Sequence, residues 1–196
     1  MLKVGVTGGI GSGKTLVCSI ISAMGYPVFN ADLEARRIID SDSNVVCSIK
    51  KIFGDSIYVN GILNRKEVAK IVFSDPFLLE KLNSIVHPAV AKHFSRWILP
   101  YSSRSLVIEE AAILFESGAY RSVDKTIVVT APNELRIQRI KERDGISRET
   151  ILGRMNNQLP QEELIKKCDY IIENDGVQLI LPQIVRVIND ILKDSE

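Results

Sequence analysis

The sequence predicts an α/β fold, a five-stranded parallel sheet with helices on both faces. Three observations carry that expectation. Five short runs, Leu2–Thr7, Pro27–Asn30, Ser105–Glu110, Lys125–Thr130 and Tyr170–Glu173, are mostly rich in valine and isoleucine and show little polar alternation. That pattern marks strands buried on both faces, as in a parallel sheet. Helical patterns separate these runs, and a glycine-rich loop joins the first run to the first helix.

Taken in order, the first helix is expected from about Gly13 to Gly25, with Val17, Ile20, Ile21 and Met24 on its core face and Gly25 at C′. About 75 residues then separate the second strand from the third. That exceeds a simple crossover, so the insertion, about 31–100, should carry helices of its own and form a substrate-specific part. Asp75-Pro76 reads as an N-cap with proline at the first helical position. Residues 77–99 are helical in pattern, and His87-Pro88 predicts a break or kink within them. A helical pair follows at about Asn133–Glu142 and Arg148–Asn157, within a segment of about 133–167. The last helix is expected over about Gln178–Leu192, with Pro182 in its first turn or kinking it. The core is then 1–30, 101–132 and 168–196.

Composition narrows the function. The 25 basic and 24 acidic residues leave a formal charge of +1, which argues against a broad nucleic-acid surface. The three cysteines, Cys18, Cys47 and Cys168, form no C-x-x-C pair and read as small apolar residues in a reducing compartment. Apolar runs reach only about five residues and no signal-peptide pattern opens the chain, so the expectation is a soluble cytoplasmic protein with no membrane partner.

Gly8-Gly9-Ile10-Gly11-Ser12-Gly13-Lys14-Thr15 fits G-x-x-x-x-G-K-[ST] between a strand and a helix. Glycines let several backbone N–H groups face one anion, and the helix N-terminus favours phosphate. Gly11, Ser12, Gly13, Lys14, Thr15 and Leu16 are thus expected to bind ATP. Lys14 brings its charge to the β- and γ-phosphates, and the Thr15 hydroxyl is the expected Mg²⁺ ligand. The dinucleotide fingerprint G-x-G-x-x-G fails, because counting from Gly9 or Gly11 ends on Lys14 or Leu16.

No D-x-x-G segment occurs, and Asn64-Arg65-Lys66-Glu67 does not match a guanine reader, which counts against a GTPase switch. Glu109-Glu110 is a weak stand-in for the strand-ending aspartate of a motor ATPase. A small-molecule kinase remains. Asp32, just past the second strand, could accept a substrate hydroxyl proton or could cap the helix that follows. Arg136, Arg139 and Arg143 follow i, i+3, i+7 spacing and share a helix face. They suit either a lid over ATP or a solvated surface.

These motifs together resemble the dephospho-CoA kinase family. The resemblance rests on Thr7–Lys14, on Asn30-Ala31-Asp32 against a D-A-D segment, and on Leu82–Pro88 against L-x-x-I-x-H-P. It extends to Ile113–Gly118, Gln138–Arg143, Arg154–Gln158 and Asp169–Asn174, so it covers nearly the whole chain in order. Asn30 replaces the first aspartate of D-A-D, Ala112 and Ile113 replace a Pro-Leu pair, and Leu16 stands where a second hydroxyl residue is common.

The resemblance implies a P-loop NTPase, nucleoside-kinase-like fold with a helical CoA-binding insertion and a helical lid. It implies transfer from ATP, with Mg²⁺, to the ribose 3′-hydroxyl of dephospho-CoA. Asp32 is then the base and a substrate contact, Lys14 and Arg139 are catalytic, and Arg143 is a further ATP contact. His87 is a substrate contact or a bond to a helix end. A nucleoside monophosphate kinase or a nucleotide-gated binding protein are the alternatives.

Overall fold

The apolar runs form strands where expected. The structure, a computed structural model, describes residues 1–194, without the side chain of Phe73. β1 (Leu2–Thr7) leads through the glycine loop into α1 (Lys14–Ala23), and β2 (Val28–Asn30) follows. Further along come β5 (Leu106–Glu110), β6 (Lys125–Thr130), α6 (Asn133–Asp144), α7 (Arg148–Asn156), α8 (Gln161–Lys167), β7 (Tyr170–Glu173) and α9 (Ile180–Lys193). The intervening insertion holds α2 (Ala31–Ser41), α3 (Ser43–Phe53), β3 (Tyr58–Val59), β4 (Ile62–Leu63), α4 (Arg65–Ser74) and α5 (Pro76–Trp97).

The chain divides into two compact units, Met1–Asn30 with the chain from Ile98 onward, and Ala31–Trp97. In the first, five parallel strands run in the order β2-β5-β1-β6-β7. Val4, Val6, Leu106, Ile108, Ile127, Val129 and Ile172 turn one sheet face toward Val17, Cys18 and Ile21 of α1 and Ile184, Val187, Ile188 and Ile191 of α9. Each buried aliphatic side chain there contributes about 1.5–3 kcal/mol. The chain leaves α1 through Gly25, at φ 93, as a C′ glycine should. Pro182 stands in the first turn of α9. Cys18 is buried as expected, whereas Cys47 is exposed. Among the described residues, no helix is long and apolar enough to cross a membrane.

The second unit has its own core of Ile38, Val45, Ile49, Ile57, Leu63 and Val68. α3, α4 and α5 start on side-chain caps. Asp42 accepts from Asn44 and Val45 N–H, Asn64 from Glu67 N–H, and Asp75 from Phe77 and Leu78 N–H. A small hairpin, β3 and β4, turns at Asn60 (φ 51) and Gly61 (φ 80), the positive pair that a type I′ turn requires.

Two expectations need correction. Of the break or kink expected at His87-Pro88, the break does not occur: α5 runs on through Pro88, although proline cannot donate to the Ser84 carbonyl. Leu82, Ile85, Val86, Ala89 and Val90 form one apolar stripe across the proline; all but Val86, which is itself buried, pack directly against the second core. That burial holds the helix on both sides of the missing bond. α8 is the second difference, a third helix where the sequence suggested a pair.

Candidate active site

The loop between β1 and α1 is shaped by close approaches that only glycine permits. Gly13 sits at φ 97, and a Cβ there would collide with the side-chain amide of Asn174. Gly11 sits at φ 80, where a Cβ would lie 2.7 Å from the Arg136 carbonyl oxygen. The loop is thereby pressed between α6 and the segment after β7, which fixes its curvature.

Polar side chains clamp the same loop. Asn174, buried at the end of β7, donates from Nδ2 to the Ser12 carbonyl at 2.8 Å. Arg139 donates from Nη2 to Oδ1 of Asn174 at 3.1 Å, and from Nη1 to the carbonyls of Gly11 and Ser12 at 3.4 Å. Arg136 is buried and donates from Nε to the Ile10 carbonyl at 3.0 Å. Its burial lowers the guanidinium pKa, the direction that desolvation of a cation dictates. With these carbonyls held on one side, the loop's curvature suits amides turned toward an anion on the other, although the Ile10 N–H donates to Gln158 Oε1 and the Ser12 N–H to the Gly9 carbonyl at 3.1 Å.

The loop's other end is tied to β5. Thr15 donates its hydroxyl proton to Glu110 Oε1 at 2.9 Å, and Asn30 donates from Nδ2 to Glu110 Oε2 at 2.9 Å. The parallel register that pairs Val6 with Glu110 puts this carboxylate level with the end of β1. An amide at position 30 suits this contact, since an aspartate there would set two carboxylates together. Glu109, one residue earlier, faces the opposite side of the sheet, where burial raises its pKa to about 7.

A cavity of about 340 Å³ opens beside the loop, lined by Ile10, Lys14, Ala112, Arg154, Asn157 and Gln158. Two cations and two carboxamides line it and no carboxylate does, which suits an anionic ligand. Thr15 and Glu110 supply two neighbouring oxygens of the kind that hold Mg²⁺. Among the described residues there is no cluster of three or more His, Cys, Asp or Glu side chains that could hold a metal ion.

The expected residues fall in several places. Gly11, Ser12, Gly13, Lys14 and Thr15 form the loop and its helix start, and Leu16 follows, half exposed. Arg139 reaches the loop, but at its carbonyls. Arg143 does not. At the far end of α6 its guanidinium pairs with Asp144, which also holds Arg154 at 3.0 Å. Asp32 and His87 belong to the second unit. α2 already starts at Ala31, so the exposed Asp32 stands within the first turn and is not the cap. His87 is half-buried inside α5, not at a helix end, and burial lowers its pKa. Glu110, Asn174 and Gln158 join the site without a motif that assigns them to it, whereas Arg136 shares the helix face expected of a lid. The polar ends of apolar strands were the available signal for the first two.

The model of the family described as dephospho-CoA kinase matches residues 2–179. A dephospho-CoA kinase of Salinibacter ruber is 42% identical over 179 residues, covering 90% of this chain and 90% of that protein. Among solved structures, TT1252 from Thermus thermophilus superposes with a TM-score of 0.82 at 35% identity, covering 98% of this chain and 97% of that one. A dephospho-CoA kinase from Campylobacter jejuni does so with a TM-score of 0.70 at 28% identity, covering 99% and 98%. Similarity that runs almost end to end, through loop, sheet and insertion alike, leaves one assignment: the chain belongs to the dephospho-CoA kinase family.

Proposed function

We propose that the protein transfers the γ-phosphoryl group of ATP to the ribose 3′-hydroxyl of dephospho-CoA, giving coenzyme A and ADP. The observation that carries this reading is the placement of Lys14. It stands at the start of α1, behind a loop whose carbonyls are tied back, and it lines a cavity with no acidic wall. That arrangement fits a triphosphate. Membership of the family supplies the acceptor.

In the proposed reaction the substrate hydroxyl oxygen attacks the γ-phosphorus and the bond to the β-phosphate oxygen breaks. Asp32 takes the hydroxyl proton and later releases it to water. Lys14 and the loop amides bind the phosphates and orient the terminal group. Thr15 and Glu110 would hold Mg²⁺, which when bound neutralises charge on the phosphate oxygens. The Arg139 contacts support a positioning role, keeping the loop amides turned inward. His87 is proposed as a substrate contact and Arg143 as a more distant ATP contact.

A panel of acceptors tests the assignment. With ATP and Mg²⁺ constant, kcat/KM for dephospho-CoA is expected to exceed that for any nucleoside monophosphate by at least about a hundredfold, the discrimination lost when a built polar contact goes unmatched. Comparable turnover of a nucleoside monophosphate would favour another kinase of this fold.

A further inference from the structure

Gln158 sits at the end of α7, far in sequence from the phosphate loop, yet its side chain is fixed to that loop. Its Oε1 accepts the Ile10 N–H at 2.7 Å. Two more bonds hold the residue in place. Its own N–H donates to the Met155 carbonyl at 3.2 Å, and the N–H of Leu159 donates to Glu116 Oε1 at 3.1 Å.

These anchors settle which way the carboxamide points. A backbone N–H can only donate, so the atom beside Ile10 is the oxygen, and the NH₂ group is on the other side. Among the described residues that NH₂ group has no protein partner. Gln158, Ile10 and Lys14 line the same cavity of about 340 Å³.

Ile10 lies on the limb of the loop away from α1, four residues before Lys14. The amides next to the helix serve the phosphate at the helix N-terminus. On the far limb the Ile10 amide is already taken. A phosphoryl group extending beyond the helix therefore meets the Gln158 carboxamide in place of that amide.

We propose that Gln158 is the residue by which this site tells ATP from ADP, donating from Nε2 to the terminal phosphoryl group beside Lys14. The proposal rests on the reading that the loop binds ATP. Gln158 becomes a specificity-determining contact from the segment expected to act as a lid, and its bond to Ile10 makes it a rigid one.

Gln158→Glu separates this from a merely structural role. The variant keeps an oxygen to accept from Ile10 but loses the donor. Affinity for ATP and for ADP is measured by calorimetry on the full chain, alongside melting temperature. The proposal predicts an ATP affinity at least about tenfold weaker, with ADP affinity changed less than about twofold and melting unchanged. Equal changes for the two nucleotides, or no change, would overturn it. If Gln158→Glu melts well below the wild type, Gln158→Met, uncharged and of similar length, is read in the same way. A wild-type protein that binds neither nucleotide would overturn both this proposal and the ATP reading, whereas equal losses in the variant would remove only the Gln158 assignment.

Discussion

The Thr15 hydroxyl donates to Glu110 Oε1 at 2.9 Å, so the residue after the phosphate-loop lysine is bonded to the last residue of the neighbouring strand. Asn30 holds the second oxygen, which fixes the carboxylate plane from β2. Three elements thus converge on one anionic group at the edge of the sheet where the loop begins.

Glu110→Gln keeps the size and one acceptor oxygen but removes the charge. The Mg²⁺ concentration giving half-maximal phosphoryl transfer is expected to rise about tenfold, on the scale of losing a charged contact worth about 1.5–3 kcal/mol. Thr15→Val should move it in the same direction. An unchanged Mg²⁺ dependence in both variants would remove these residues from the metal's surroundings.

Arg139→Lys conserves charge but loses the fork that spans Asn174 and the loop carbonyls. The expected result is a kcat/KM loss of at least about tenfold together with a stability loss of about 1–2 kcal/mol, since buried or half-buried acceptors lose their donor. Steady-state kinetics and urea denaturation check it. Full activity with full stability would return Arg139 to a solvated surface.

Glu109 gives the folded protein a pH dependence. Its pKa is raised from the ordinary glutamate value of 4.5 to about 7, chiefly by burial, with Lys3 opposing. The folded state therefore binds this proton more tightly than the unfolded chain does. The stabilisation is complete below the unfolded value and is lost as pH rises through the folded one, by roughly 3 kcal/mol in all. Glu109→Gln cannot ionise, so its stability relative to the wild type should climb by up to roughly that amount from about pH 5 to about pH 8. Denaturation at each pH checks it; a constant difference would contradict it.

Much of this architecture was legible because burial on both faces of a parallel sheet writes itself into continuous valine and isoleucine runs. All five strands lie within a residue of their expected bounds. The failures share a cause, which is that a local signal met a tertiary one. Pro88 should interrupt α5, but the stripe from Leu82 to Val90 outweighs it. α8 has seven residues, too few for a periodic pattern, and only Leu164 is buried. Asn60-Gly61 is a readable turn signal, yet strands of two residues show no alternation around it.

The site was half legible for a similar reason. The phosphate loop is contiguous in sequence, so its motif is visible. Glu109 and Glu110 look alike there, and only the register Val6–Glu110 decides which of the two meets Thr15. Arg136, Arg139 and Arg143 share helical spacing, but only the first two lie alongside the loop, and the third reaches the helix end and Asp144.

Asp32→Asn bears on the proposed base. Because α2 begins at Ala31, the side chain is not the helix cap, and stability should stay near that of the wild type. As a general base its loss should lower kcat by about 10² to 10⁴ while leaving ATP affinity unchanged. Near-normal kcat at saturating substrates would exclude it from proton transfer.

The most direct measurement is identification of the product formed from ATP, Mg²⁺ and dephospho-CoA, by mass spectrometry and ³¹P NMR, for the wild type and for Lys14→Ala. The account predicts coenzyme A bearing its new phosphate on the ribose 3′ oxygen, with one ADP for each molecule formed, and almost none from a folded Lys14→Ala protein. ADP release without coenzyme A, a phosphate on another hydroxyl, or undiminished turnover by Lys14→Ala would contradict it.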